Sequence, residues 1–161
     1  MIVGFSTIPE ESKIWVFPSN RKFYPQEISE LTKSKELFLN SWTSDRNPVE
    51  CSYLFRHDRF IIISANDTDY NLSLEAHDAL TEFILELQNK YDVVLLDKIN
   101  VCYKQGEFVQ YKDLVDFKKL IKAKGVSQKT IVFNNMITVK NELKYNWEIN
   151  IMDSWLGRLV K

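Results

Sequence analysis

The sequence predicts an α+β domain, a ferredoxin-like (βαββαβ) core with a C-terminal α/β appendage packed on it. Three observations point there. Short apolar runs and longer amphipathic stretches alternate over 13–106 in the order strand, helix, strand, strand, helix, strand. The two most apolar runs, Ile14-Trp15-Val16-Phe17 and Arg59 to Ala65, fall on the first and third of these strands, the central pair of the 4-1-3-2 order of that architecture. Composition is globular, at 45% hydrophobic and 27% charged in 161 residues, enough for one core and a sizeable addition. The expected boundaries are a loosely held leader at 1–12, the core at 13–106 and the appendage at 107–161.

Each element has its own signal. Pro18 stops the first apolar run. Pro25 suits a first helical turn, Glu27 favours its positive end, and Ile28, Leu31, Phe38 and Trp42 share one face, which predicts a helix over 25–43 ended by Asn47-Pro48. Residues 49–56 and 59–65 read as strands joined across Arg56-His57-Asp58, a hairpin-sized link. Asn66 to Asp69 has the chemistry of a loop. Ser73 can cap a second helix with Ala76, Leu80, Phe83, Ile84, Leu87 and Tyr91 inward. A strand at 99–105 turns at Gln105-Gly106, and Glu107 to Tyr111 can pair with it. Asp113 to Lys124 reads as a helix with Leu114, Phe117, Leu120 and Ile121 inward and Gly125 as its stop, followed by a strand at Thr130 to Phe133. The tail, 143–161, is rich in aromatics.

Both faces of the first sheet are expected to be apolar. Ile14 and Val16 oppose Trp15 and Phe17, and Phe60 and Ile62 oppose Ile61 and Ile63. Helices cover one face of a ferredoxin-like sheet. The other face must therefore be covered by the appendage or by another subunit, and Trp147 is expected to dock on it near Trp15.

Composition and motifs count against several function classes. The four glycines, Gly4, Gly106, Gly125 and Gly157, are scattered, so no backbone cradle for phosphate can form. The net charge of −1 lacks the basic excess of a nucleic-acid binder, and the third strand has no aromatic RNA-binding motif. The longest aliphatic run, Phe60-Ile61-Ile62-Ile63, is too short to span a membrane, and the first residues lack a signal-peptide pattern. Two distant cysteines, Cys51 and Cys102, suit reduced thiols in a cytoplasmic protein. The 4-1-3-2 order would place them at opposite sheet edges.

Several strings carry a resemblance: Phe38-Leu39-Asn40-Ser41-Trp42, Arg59-Phe60-Ile61-Ile62, Thr130-Ile131-Val132-Phe133-Asn134-Asn135, Asn146-Trp147-Glu148 and Asp153-Ser154-Trp155. Through them the chain resembles, over most of 13–155, a family of small uncharacterised proteins from Bacteroidetes often labelled "ABC transporter ATPase". The chemistry speaks against that label. The nearest approach to a P-loop, Ala123 to Thr130, ends in Lys129-Thr130 but lacks both glycines, and it runs from helix to strand. ATPase activity is not expected.

The densest group of candidate metal ligands is Asp67, Asp69, Glu75, His77 and Asp78, without the glycine and closing glutamate of a calcium loop. Loop chemistry and a helix N-terminus explain the same residues. His57, beside Asp58, has the composition of a general base but sits in a turn; Cys51 has no base near it in sequence. Lys118, Lys119, Lys122 and Lys124 form a basic stripe suited to solvent or an acidic partner. Trp15, Trp147 and Trp155 are the expected interaction surface. No cofactor is expected. Two function classes follow: a non-catalytic binding or scaffold module, with a protein partner or a second copy, and an enzyme with an unfamiliar site near the acidic loop 66–78.

Overall fold

The fold was taken from a computed structural model, which describes residues 1–160. Helix and strand are mixed as the sequence predicts, so the chain is α+β. The elements run β1 (Lys13–Pro18), α1 (Pro25–Ser41), β2 (Thr43–Ser44), β3 (Asn47–Pro48), β4 (Cys51–Arg56), β5 (Phe60–Ala65) and α2 (Leu74–Tyr91). There follow β6 (Val101–Gln105), β7 (Phe108–Lys112), α3 (Leu114–Lys122), β8 (Ile131–Phe133), α4 (Glu142–Tyr145) and β9 (Glu148–Asn150). Two short 3-10 turns, Ile151–Asp153 and Trp155–Leu159, close the described chain.

Local chemistry sets the helix ends. Glu27 accepts a hydrogen bond from the Tyr24 N–H at 2.8 Å and is gripped by both Arg21 guanidinium nitrogens, at 2.9 and 3.1 Å. The Arg21 hydrogen bond holds the Glu27 carboxyl below its ordinary pKa. Ser73 caps α2 by accepting from the Ala76 N–H, and Asp113 caps α3 by accepting from the Asp116 N–H.

The first sheet has the order β1-β5-β4, all antiparallel, with Ile63 facing Trp15 on one side and Tyr53 on the other. The β4–β5 turn holds His57 and Asp58 at φ 55° and 53°, and the Arg59 N–H returns to the Arg56 carbonyl at 3.0 Å. Two left-handed central residues give the turn the primed sense that suits a hairpin, and Arg59 completes a three-residue link between the paired Arg56 and Phe60.

The expected order 4-1-3-2 is corrected at its fourth strand. β6 leaves the first sheet and sits inside a second, antiparallel sheet of order β7-β6-β8-β9. Gly106, at φ 64°, folds β7 back onto one edge of β6, and Tyr103 opposite Val132 occupies the other. With both edges used, β6 has none left for β1. The edge of β1 is met instead by the segment around 138–139, where Ile14 N–H reaches the Thr138 carbonyl at 3.0 Å and Lys13 bridges Val139.

Side-chain alternation then stacks four layers. Phe17, Ile61 and Ile63 face α1 and α2, meeting Leu31, Leu80 and Ile84. Ile14, Val16, Phe60 and Ile62 face the second sheet, meeting Cys102, Val109, Phe133 and Trp147. The far face of the second sheet, with Val101, Tyr103 and Val132, packs on Phe117 of α3 and on Ile151, Leu156 and Val160. The second apolar face of the first sheet is thus covered by the appendage of the same chain.

Two further expectations are corrected. Residues 1–12 are not loosely held: Ile8 is buried, Ile2 bridges Cys51, and the Lys140 ammonium donates to the Ile8 carbonyl at 2.7 Å. Trp147 docks on the core but not near Trp15. It stacks edge-on to Phe60 at 5.1 Å between the sheets, whereas Trp15, by strand alternation, points to the helix layer and meets Trp42 at 6.1 Å.

Candidate functional site

The structure disperses the candidate metal ligands. Asp67 and Asp69 lie in the loop after β5, where Asn66 accepts from the Thr68 N–H in a local turn at 3.0 Å. Glu75 and Asp78 point outward from the first turns of α2. His77 turns inward against the Trp15 ring, 5.7 Å away. Among the described residues no group of three or more His, Cys, Asp or Glu side chains could hold a metal ion.

The nucleophile and base candidates are likewise separated from one another. His57 is exposed and rests edge-on against Phe133 and Phe60, at 5.5 and 5.9 Å. Desolvation by these rings lowers its pKa. Cys51 and Cys102 are free and buried, in different layers of the core. Burial raises the Cys51 thiol and pushes Cys102 up to about 12, so neither is a thiolate at neutral pH. The stretch Ala123 to Thr130 lies between α3 and β8, the helix-to-strand order read from the sequence.

Of the three tryptophans expected to form a surface, Trp147 is buried, with its indole N–H donating to Asn135 Oδ1 at 3.0 Å. Trp15 is half-buried. Trp155 is 46% exposed, on the α3 side of the molecule. They do not share one surface.

A different place gathers aromatic surface. α1 and α2 lie side by side on the first sheet, and their outer seam is open. On α1 the seam takes Ser34, Leu37, Phe38 and Ser41, spaced i, i+3, i+4 and i+7. On α2 it takes Glu75, Ala79, Glu82, Phe83 and Glu86, also one helical face. The rings of Phe38 and Phe83 stack flat, 4.5 Å apart and 1° from parallel, and Phe38 continues to Trp42 at 5.6 Å. The Trp42 indole N–H is fixed by the Ala76 carbonyl at 2.9 Å. Two adjoining hollows of about 440 and 380 Å³ share Phe38, Ser41 and Ala79. Leu37, on the lip, is 76% exposed.

Electrostatics of the seam are one-sided. α2 carries Glu75, Asp78, Glu82 and Glu86 against Lys90 alone, and Lys90 is engaged with Glu30 of α1. Asp45 and Arg46, in the β2–β3 turn, close one end. Sequence reasoning placed Phe38 and Phe83 on inward stripes and so missed the seam. The signal was there in Leu37, an apolar residue one step off the α1 stripe.

A third hollow, of about 290 Å³, lies where the loop after β5 meets the β2–β3 turn. Asp45, Glu50, Asn66, Asp69 and Tyr70 are among its walls; Asp67, Glu75, His77 and Asp78 are not. No family model matches the chain, and no curated protein or solved structure matches it.

Proposed function

We propose that the chain is a non-catalytic binding module whose working surface is the α1–α2 seam. One observation carries the reading: two stacked rings, Phe38 and Phe83, floor an open groove whose lip, Leu37, stands almost fully in water. Apolar surface arranged along a furrow and edged by polar residues is the form of a protein-docking site. Nothing in the packing of the two helices requires a leucine at position 37, since its side chain is turned from the core.

A photoreactive benzoylphenylalanine in place of Leu37 tests this in cells that make the chain natively. A discrete cross-linked species is expected from position 37 and not from exposed Gln128, beyond α3. Equal labelling from both positions, or none from position 37, would remove the support for the seam.

A second reading has its own observation. The hollow beside the loop 66–72 is concave and mixes apolar walls with the carboxylates of Asp45, Glu50 and Asp69, as an enzyme site near the acidic loop would. Small cationic molecules that raise the melting temperature of the protein, with the rise abolished in Asp69→Asn, would favour that reading over the module.

A further inference from the structure

We infer that the occupant of the α1–α2 seam is a basic amphipathic helix from another protein; the inference rests on the binding-module reading above. Three features of the seam select it. The floor is apolar and aromatic, made by Phe38, Phe83 and Ala79, and asks for bulky apolar side chains. The α2 rim presents Glu75, Glu82 and Glu86 on one helical face, all exposed, and asks for lysine or arginine. The furrow follows the α2 axis from Glu75 to Glu86, eleven helical steps or roughly 16 Å, the length of about three helical turns. A helix with apolar residues at i, i+3, i+4 and i+7 and basic residues flanking them matches all three.

The chain's own α3 is the obvious alternative occupant, because its outward side carries Lys118, Lys119 and Lys122. It supplies charge without an anchor. Its only exposed apolar side chain is Val115, while Leu114, Leu120 and Ile121 pack on the core beneath. Valine is too small to fill a hollow of about 440 Å³ beside two stacked rings. Basic α3 and the acidic seam lie on opposite outer layers of the molecule, so such a contact would also propagate head to tail without closing.

The test uses the full chain and two synthetic helical peptides of about 14 residues, roughly 21 Å long. Both carry leucine at i, i+3, i+4 and i+7; one has lysine elsewhere, the other glutamate. Amide NMR shifts and calorimetry are the readouts. The lysine peptide is expected to bind with shifts confined to α1, α2 and the β2–β3 turn that closes the seam. Its affinity should fall at least ~10-fold in Glu82→Lys/Glu86→Lys, whose exposed positions leave folding intact, and ~10-fold again between low and high salt. The glutamate peptide should not bind.

Binding of the glutamate peptide at the seam would overturn the basic-helix inference and leave the seam a docking site. Shifts centred outside α1, α2 and the β2–β3 turn, or equal affinity in the charge-reversed variant, would also overturn it. If neither peptide binds and position 37 gives no cross-link, the module reading falls with it. Sedimentation of the chain alone covers the remaining case: self-association at low salt, lost in Val115→Glu, would make a second copy the occupant and overturn the inference.

Discussion

Lys35 is where residue chemistry runs furthest against residue type. Its side chain is 1% exposed, on the inner face of α1 between Leu31 and Leu39, four residues to either side. The ammonium lies 4.8 Å from the centre of the Tyr53 ring and 4.6 Å from that of Phe55. Ring faces offset part of the lost hydration. Burial still lowers its pKa from 10.5 to about 8. The sign follows from proton counting. Between pH 8 and 10.5 the unfolded chain holds a proton that the folded chain has released, so this residue adds stability as pH rises through that window. Lys35→Met keeps the length of the stem and removes the charge. It should stabilise the protein by about 2 kcal/mol at pH 7 and lose most of that advantage by pH 10. Urea melts of both proteins at pH 7 and 10 measure it, and a difference that stays constant with pH would refute it. The position was legible in principle, since 31, 35 and 39 recur every fourth residue. A charged residue there reads as solvent-facing unless the aromatic rings beneath it are known, and those come from β4, across a hairpin and two short strands.

At the scale of elements, local signals carried identity and long-range contacts decided partnership. All six residues expected on the inner stripe of α2 are buried there, because a period of 3.6 is a local property. Both hairpins, β4–β5 across three residues and β6–β7 across two, follow from turn chemistry. What β6 pairs with on its second edge is not written in its own sequence. It depends on β8, a three-residue strand whose pattern names no partner. The end of α3 shows the same limit on a smaller scale. Gly125 was expected to stop the helix, yet the left-handed residue is Lys124, at φ 60°. The Gly125 N–H returns to the Leu120 carbonyl at 2.9 Å and that of Lys124 to Ile121 at 3.0 Å, the paired bonds of a Schellman ending. Gly125 is required for another reason: a Cβ there would collide with the Leu120 side chain. Opposite outcomes are therefore expected for neighbouring residues. Lys124→Gly should gain about 0.5–1 kcal/mol by relieving the left-handed strain. Gly125→Ala should lose about 1–2 kcal/mol by crowding. Thermal melts that moved both variants the same way would contradict this account of the turn.

For the whole molecule, the question is why one chain needs four layers. The first sheet is apolar on both faces, and α1 and α2 can cover only one. The second sheet fills the other, and its own outer face then requires α3 and the closing 3-10 turns. The seam is exposed for the same reason, since helices that already lie on the outside of the stack have no further layer to meet. That the second face needed a cover was legible from the alternation of Ile14, Val16, Phe60 and Ile62. That Trp147 would dock on that face was expected as well; that it would sit beside Phe60 and Phe133 and not near Trp15 was not legible, because the tail has no period to orient it. A chain ending at Tyr145 tests the dependence. It loses Trp147 from between the sheets, β9 from the edge of β8, and Ile151, Leu156 and Val160 from beneath α3. Trp147→Ala alone should cost about 3–5 kcal/mol, since it opens a cavity and leaves Asn135 Oδ1 without its donor. Trp155→Ala, at a half-exposed ring, should cost under about 1 kcal/mol. The shortened chain should then unfold at markedly lower denaturant than Trp147→Ala, or associate to cover the uncovered sheet. Denaturant melts and light scattering decide it. A shortened chain that stays monomeric with an unchanged midpoint would mean that the tail is dispensable, and that the first sheet is held by α1 and α2 alone.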